Sequence, residues 1–125
     1  MLNVERKDNM INIFSSSRYK FDKKEIKDFA QSVLNRYHAT NLLAVNIVFV
    51  GKRKMRDIAK TYKDEDVALP VLAFPYQGDQ KNTENVIGEV IICYPQAVLL
   101  AAEREKKVGE MIKQLIEHGI QNLYK

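Results

Sequence analysis

Apolar and polar positions divide the chain into eight segments. From Val108 to Tyr124 the apolar residues are Val108, Met111, Ile112, Leu115, Ile116, Ile120 and Leu123. That i, i+3, i+4, i+7 spacing is one helical face, with Glu110, Lys113, Glu117 and Gln121 on the other. His118 and Asn122 fall one turn apart on a flank of the stripe, so both side chains can reach one cleft. At the other end, Met10–Phe14 predicts a short strand that stops at Ser15-Ser16-Ser17. Asp22 then caps a helix, with Glu25 as its capping-box partner and Phe21 and Ile26 at the staple positions. Its apolar face runs Ile26, Phe29, Ala30, Val33, Leu34, Tyr37, and it should stop near His38, where an imidazolium suits a helix C-terminus.

Leu42 to Val50 is apolar except for Asn46 and predicts a strand buried on both faces. After Gly51, the positions of Met55, Ile58, Ala59 and Tyr62 predict a short amphipathic helix with a basic outer face. A polar loop follows, and Pro70 confines Leu69 to extended geometry. Val71–Phe74 is a third strand, stopped by Pro75. Gln77 to Asn85 is a polar hairpin loop, and Val86–Cys93 is a fourth strand interrupted by Gly88-Glu89. Pro95 opens a helix at a favoured position, and the small apolar run Ala97–Ala102 predicts that it is largely buried. The order β-α-β-α-β-β-α-α predicts an α/β (α+β) fold: one domain over residues 1–125, with a mixed four-stranded sheet packed by about four helices.

Composition adds three exclusions. No apolar run approaches a membrane span, so no membrane role is expected. The first ten residues have no apolar signal core, and the single Cys93 suits a reducing, cytoplasmic setting as a core thiol. Gly-rich phosphate loops, H-E-x-x-H, C-x-x-C and G-x-S-x-G are absent. Charge changes the picture more. Residues 1–63 carry 14 Lys and Arg against 6 Asp and Glu, a net of +8, and residues 64–125 carry 6 against 10, a net of −4. Lys52, Arg53, Lys54, Arg56, Lys60 and Lys63 form the densest basic run. It suits a phosphate backbone, or else it is a solvated helix face. No strand is rich in aromatic residues, so base stacking is not indicated.

Three segments in order resemble one family. They are Tyr62-Lys63 followed by Val71-Leu72-Ala73-Phe74-Pro75, then Gly88-Glu89-Val90-Ile91-Ile92-Cys93, then Leu115-Ile116-Glu117-His118-Gly119-Ile120-Gln121-Asn122-Leu123. They are similar to the Y-R, P-T-D-V-L-S-F-P, G-D-I-x-I and H-G-x-L-H-L-x-G-Y-D-H motifs of the YbeY family, the bacterial rRNA maturation endoribonucleases. The resemblance implies a zincin-like YbeY fold and processing of the 16S rRNA 3′ end during ribosome assembly. It implies rRNA and the small ribosomal subunit as partners, and zinc held by three His. A zinc-bound water whose pKa falls toward neutrality would supply the chemistry.

The match is incomplete where zinc would bind. His118 takes the first ligand position, Asn122 stands at the second, and the third would lie beyond Lys125. Lys63 replaces the motif's Arg and loses its bidentate fork. Leu69-Pro70 replaces Thr-Asp, Ala73 replaces Ser, and Glu89 replaces Asp. His118 and Lys63 are therefore the candidate catalytic residues, and His118 is the candidate metal ligand. The alternatives are a boundary histidine beside the apolar stripe and a solvated loop lysine. Glu89 reads as an exposed edge carboxylate, or as a general base or partner for His118. Two functions follow: a metal-assisted endoribonuclease whose site is completed by Glu89 or by later residues, or a catalytically inactive rRNA- or ribosome-binding module. A protein-binding domain without an RNA role is a third.

Overall fold

The computed structural model describes residues 10–37, 44–76 and 86–124. Along them the elements follow in the expected order: β1 (Met10–Phe14), α1 (Lys23–Asn35), β2 (Ala44–Val50), α2 (Lys52–Lys63), β3 (Val71–Pro75), β4 (Val86–Cys93), α3 (Tyr94–Glu103) and α4 (Val108–Leu123). The strands form one mixed sheet in the order β1-β2-β4-β3. β1, β2 and β4 run parallel, and β3 is antiparallel to β4. The expected loop at Gln77 to Asn85 and the expected role of His38 lie outside the described residues.

Side chains alternate between the two sheet faces. Val45, Ile47 and Phe49 of β2 and Val90 and Ile92 of β4 enter the larger core, beside residues of α1, α3 and α4. On the opposite face Leu72, Ile91 and Cys93 meet Met55 and Ala59 of α2. β2 was expected to be buried on both faces, but Asn46, Val48 and Val50 are only half-buried. α2 is a single helix of 12 residues, and one helix is too narrow to cover a four-stranded face.

The helix ends follow local chemistry. Asp22 caps α1 by accepting from the Glu25 N–H at 3.0 Å. The expected capping box is only half made, because the Glu25 carboxylate turns instead to Lys113 Nζ of α4 at 2.6 Å. α1 ends at Asn35, a few residues before His38. α3 is less buried than its small residues suggested: Ala97 and Ala101 are covered, but Val98 and Leu99 are exposed.

α4 lies close against the sheet. Met111, Ile112, Leu115, Ile116 and Ile120 are buried as the periodicity predicts. Gly119 lets the helix approach β4, since a Cβ there would stand 2.5 Å from Val90 Cγ1. Gly88 is explained by the same approach, because its Cβ would meet Leu123 Cδ2 at 2.6 Å and the Phe74 carbonyl oxygen at 2.7 Å. β4 carries a bulge next to Gly88, seen as a register shift with Ala44 opposite Val86 but Val45 opposite Gly88. No described helix is long and apolar enough to cross a membrane.

Candidate functional site

α2 is basic because of what its sequence leaves outside. Met55 and Ala59 are its buried anchors. Lys52, Arg53, Lys54, Arg56, Lys60 and Lys63 are all exposed, with Asp57 the one acidic residue of the helix. The spacing that sends Met55 and Ala59 to the sheet therefore sends six cations to solvent. Among the described residues, the counter-charge within ion-pair reach of α2 is Asp66, whose Oδ1 is 3.9 Å from Arg56 Nε and well exposed. A pair of that kind contributes little, so the guanidinium stays available.

The end of α2 leads into a cleft. Asp64 adopts the left-handed conformation, with φ 56°, and the Glu65 N–H returns to the Ala59 carbonyl at 3.2 Å. Asp tolerates that region better than most residues. The turn leaves Lys63 and Glu65 on the wall of a cleft of about 470 Å³, shared with Leu69, Ala73, His118 and Asn122. The i, i+4 pair on α4 and the lysine ending α2 thus line one space, as the sequence placed them. His118 is exposed and Asn122 half-buried.

Glu89 is not part of this cleft, and both sequence readings of it need correction. β4 is an interior strand, so Glu89 is not at a sheet edge. Its neighbours Gly88 and Val90 face α4, and Glu89 itself lines a groove beside α2. A carboxylate on that face cannot partner an imidazole of the other cleft.

The cleft does not supply the zinc ligands the family motif implies. It offers one imidazole, one neutral amide, the Glu65 carboxylate and the Lys63 ammonium. A lysine cation opposes a bound dication, and an amide is a poor zinc ligand. Among the described residues no group of three His, Cys, Asp or Glu is placed to hold a metal ion.

The face beside α2 holds what strand composition concealed. Asn12, Asn46, Glu89 and Phe74 are register partners in one row across all four strands. Asn12 Nδ2 donates to Asn46 Oδ1 at 2.9 Å, and Tyr76 Oη donates to Glu89 Oε2 at 3.2 Å. Burial, and then the Glu89 charge, raise the Tyr76 pKa. Tyr62 packs on Phe74, with ring centroids 5.2 Å apart and planes at 68°. Each strand carries at most one of these aromatic residues, so no single strand signalled them. Cys93, on the same face, is buried as expected, and burial pushes its thiol pKa up.

Comparison with known proteins agrees with the resemblance in the sequence. The endoribonuclease YbeY family matches residues 11–124. The endoribonuclease YbeY of Aquifex aeolicus (strain VF5) is 28% identical over 123 residues, which cover 98% of this chain and 80% of that protein. That of Janthinobacterium sp. (strain Marseille) is 33% identical over 76 residues, 61% of this chain but 49% of the relative. A solution structure from Thermotoga maritima superposes with a TM-score of 0.60 at 19% identity, covering 93% of this chain and 73% of that one. That likeness supports the fold.

Proposed function

Because the chain belongs to the endoribonuclease YbeY family, we propose that it acts in 16S rRNA maturation and small-subunit assembly by binding single-stranded rRNA through α2. The observation that supports this is the exposure of all six α2 cations around a helix whose last residue, Lys63, lines the cleft. Each phosphate neutralised by Lys or Arg releases condensed counterions, which is the main source of affinity for a nucleic-acid backbone. α4 carries Glu110 and Glu117 against Lys113, so α2 is the more cationic of the two helices and the one to which a strand is drawn.

Within this reading the cleft is where a bound strand would meet His118. Lys63 is the phosphate contact, as a point charge without the bidentate fork of an arginine. His118 is the group able to move a proton to or from a ribose or phosphate oxygen. That arrangement favours a second reading, endonucleolytic cleavage by His118 and Lys63. The donor set around His118 favours the binding role, because one imidazole does not make a zinc site.

The test is fluorescence anisotropy with labelled single-stranded RNA. Changing Lys54, Arg56 and Lys63 together to Glu should abolish binding. Lys113→Glu should change it little, since Lys113 belongs to α4 and is paired with Glu25. Equal loss from both variants, or no binding by the unaltered chain at low salt, would remove the RNA role. Cleavage of the same RNA that disappears in His118→Ala would favour the second reading.

A further inference from the structure

The half of the sheet face that α2 leaves uncovered carries a second groove, separate from the His118 cleft. It is about 470 Å³ and is lined by Val48 and Ile91 on its floor, Lys54 and Tyr62 on α2, and Phe74 and Glu89. That volume falls in the ~300–1,000 Å³ range of small-ligand sites. Tyr62 is 67% exposed although it belongs to the apolar stripe of α2. Most of its ring surface is therefore open, next to Phe74.

The polar groups in this groove are arranged for a ligand with hydrogen-bond donors. Tyr76 uses one acceptor position of Glu89 Oε2. An ionised carboxylate has about four acceptor positions, and Oε1 has no partner among the described residues. The Asn12 to Asn46 hydrogen bond lies in the row that holds Glu89, and Tyr76 reaches Glu89 from just beyond the end of β3. A carboxylate among so many cations repels phosphate from the groove floor. It accepts amino and imino N–H groups instead, while Lys54 at the rim suits the phosphate next to them. An open tyrosine face, an acceptor at the floor and a cation at the rim match the three parts of a nucleotide.

We propose that this groove is a nucleobase subsite for a guanine of single-stranded RNA. The base stacks on the open face of Tyr62, beside Phe74, and donates N1–H and its N2 amino group to Glu89, and its flanking phosphate meets Lys54. Guanine is the base that places two donors side by side on its pairing edge, which both carboxylate oxygens can accept. Uracil has no amino group and turns carbonyl oxygens toward the carboxylate. The subsite rests on the RNA-binding reading of α2 and adds base selection to a helix that otherwise reads only backbone charge.

The test compares two labelled RNA octamers, one all uridine and one with a single central guanosine. Each is titrated against the unaltered chain, Glu89→Gln and Tyr62→Ala. The guanosine octamer should bind about tenfold tighter to the unaltered chain, the discrimination expected of one good bidentate base contact. Glu89→Gln should erase that preference and leave uridine affinity nearly unchanged. Tyr62→Ala, at an exposed position, should weaken guanosine binding at least about fivefold, as for loss of one stacking side chain. Equal binding of both octamers by the unaltered chain, or a guanosine preference that survives Glu89→Gln, would overturn the subsite and leave the α2 reading standing. Failure to bind either octamer at low salt would instead overturn the RNA reading beneath it.

Discussion

At the scale of single residues, Gly119 shows how one missing methyl sets the approach of a helix to a sheet. An alanine Cβ would lie 2.5 Å from Val90 Cγ1 and 3.0 Å from Cγ2, and Val90 is fully buried. Overpacking of this kind costs about 1–3 kcal/mol, against at most about 1 kcal/mol gained in helix propensity. Gly119→Ala should therefore lower stability in urea unfolding, and a Val90→Ala background should reduce that loss. An unchanged midpoint would mean that the helix is not held this close. Asn122 gives a second prediction at this scale. Asn122→His puts two imidazoles one turn apart on the wall that already holds His118. Calorimetric titration should then detect zinc binding stronger than in the unaltered chain. Identical titrations would show that positions 118 and 122 do not converge on one ion. Both residues were legible from the sequence as a flank of a helical stripe. The company they keep was not, because Lys63 arrives at the end of α2 and Glu65 follows it through the left-handed turn at Asp64.

At the scale of elements, α2 combines two jobs that its composition separates cleanly. Met55 and Ala59 hold it to the sheet, and the remaining positions are free to be cationic. If about four phosphates are neutralised, the logarithm of RNA affinity should fall against the logarithm of salt with a slope near −3. A slope near zero would assign binding to uncharged contacts and remove α2 from the interface. α3 illustrates the opposite outcome. A run of small apolar residues suggested burial, yet Val98 and Leu99 stand in solvent. Periodicity reports which residues share a face, and the number of neighbouring elements decides whether that face is covered.

At the scale of the whole molecule, the sheet separates two cores of unequal size. α1, α3 and α4 fill the larger one, and α2 by itself closes part of the other face. The larger core is continuous and apolar through six elements, β1, α1, β2, β4, α3 and α4, so folding should not depend on a metal ion. A chelator such as EDTA should leave the thermal midpoint within about 2 °C. A fall of ~5 °C or more, equivalent to about 1 kcal/mol in a domain of this size, would reveal a structural ion. The uncovered part of the smaller face is where Phe14, at 53% exposure, and the Asn12, Asn46 and Glu89 row lie.

What the sequence determined by itself was local. Period and punctuation located all eight elements, because helix and strand spacing, Asp22, Gly51, Pro70 and Pro95 act on their own neighbours. The basic character of α2 and the pairing of His118 with Asn122 were equally local, each being contained in one helix. Tertiary structure decided whatever required residues distant in sequence to meet. It inserted β4 between β2 and β3, which moved Glu89 from a supposed edge into the middle of the sheet. It turned Glu25 from its own cap toward Lys113 of α4. It gathered Tyr62, Phe74 and Tyr76 around Glu89, although no strand is rich in aromatic residues. The physical reason is that strand order and register are set by how whole faces are buried together. No window of a few residues contains that information.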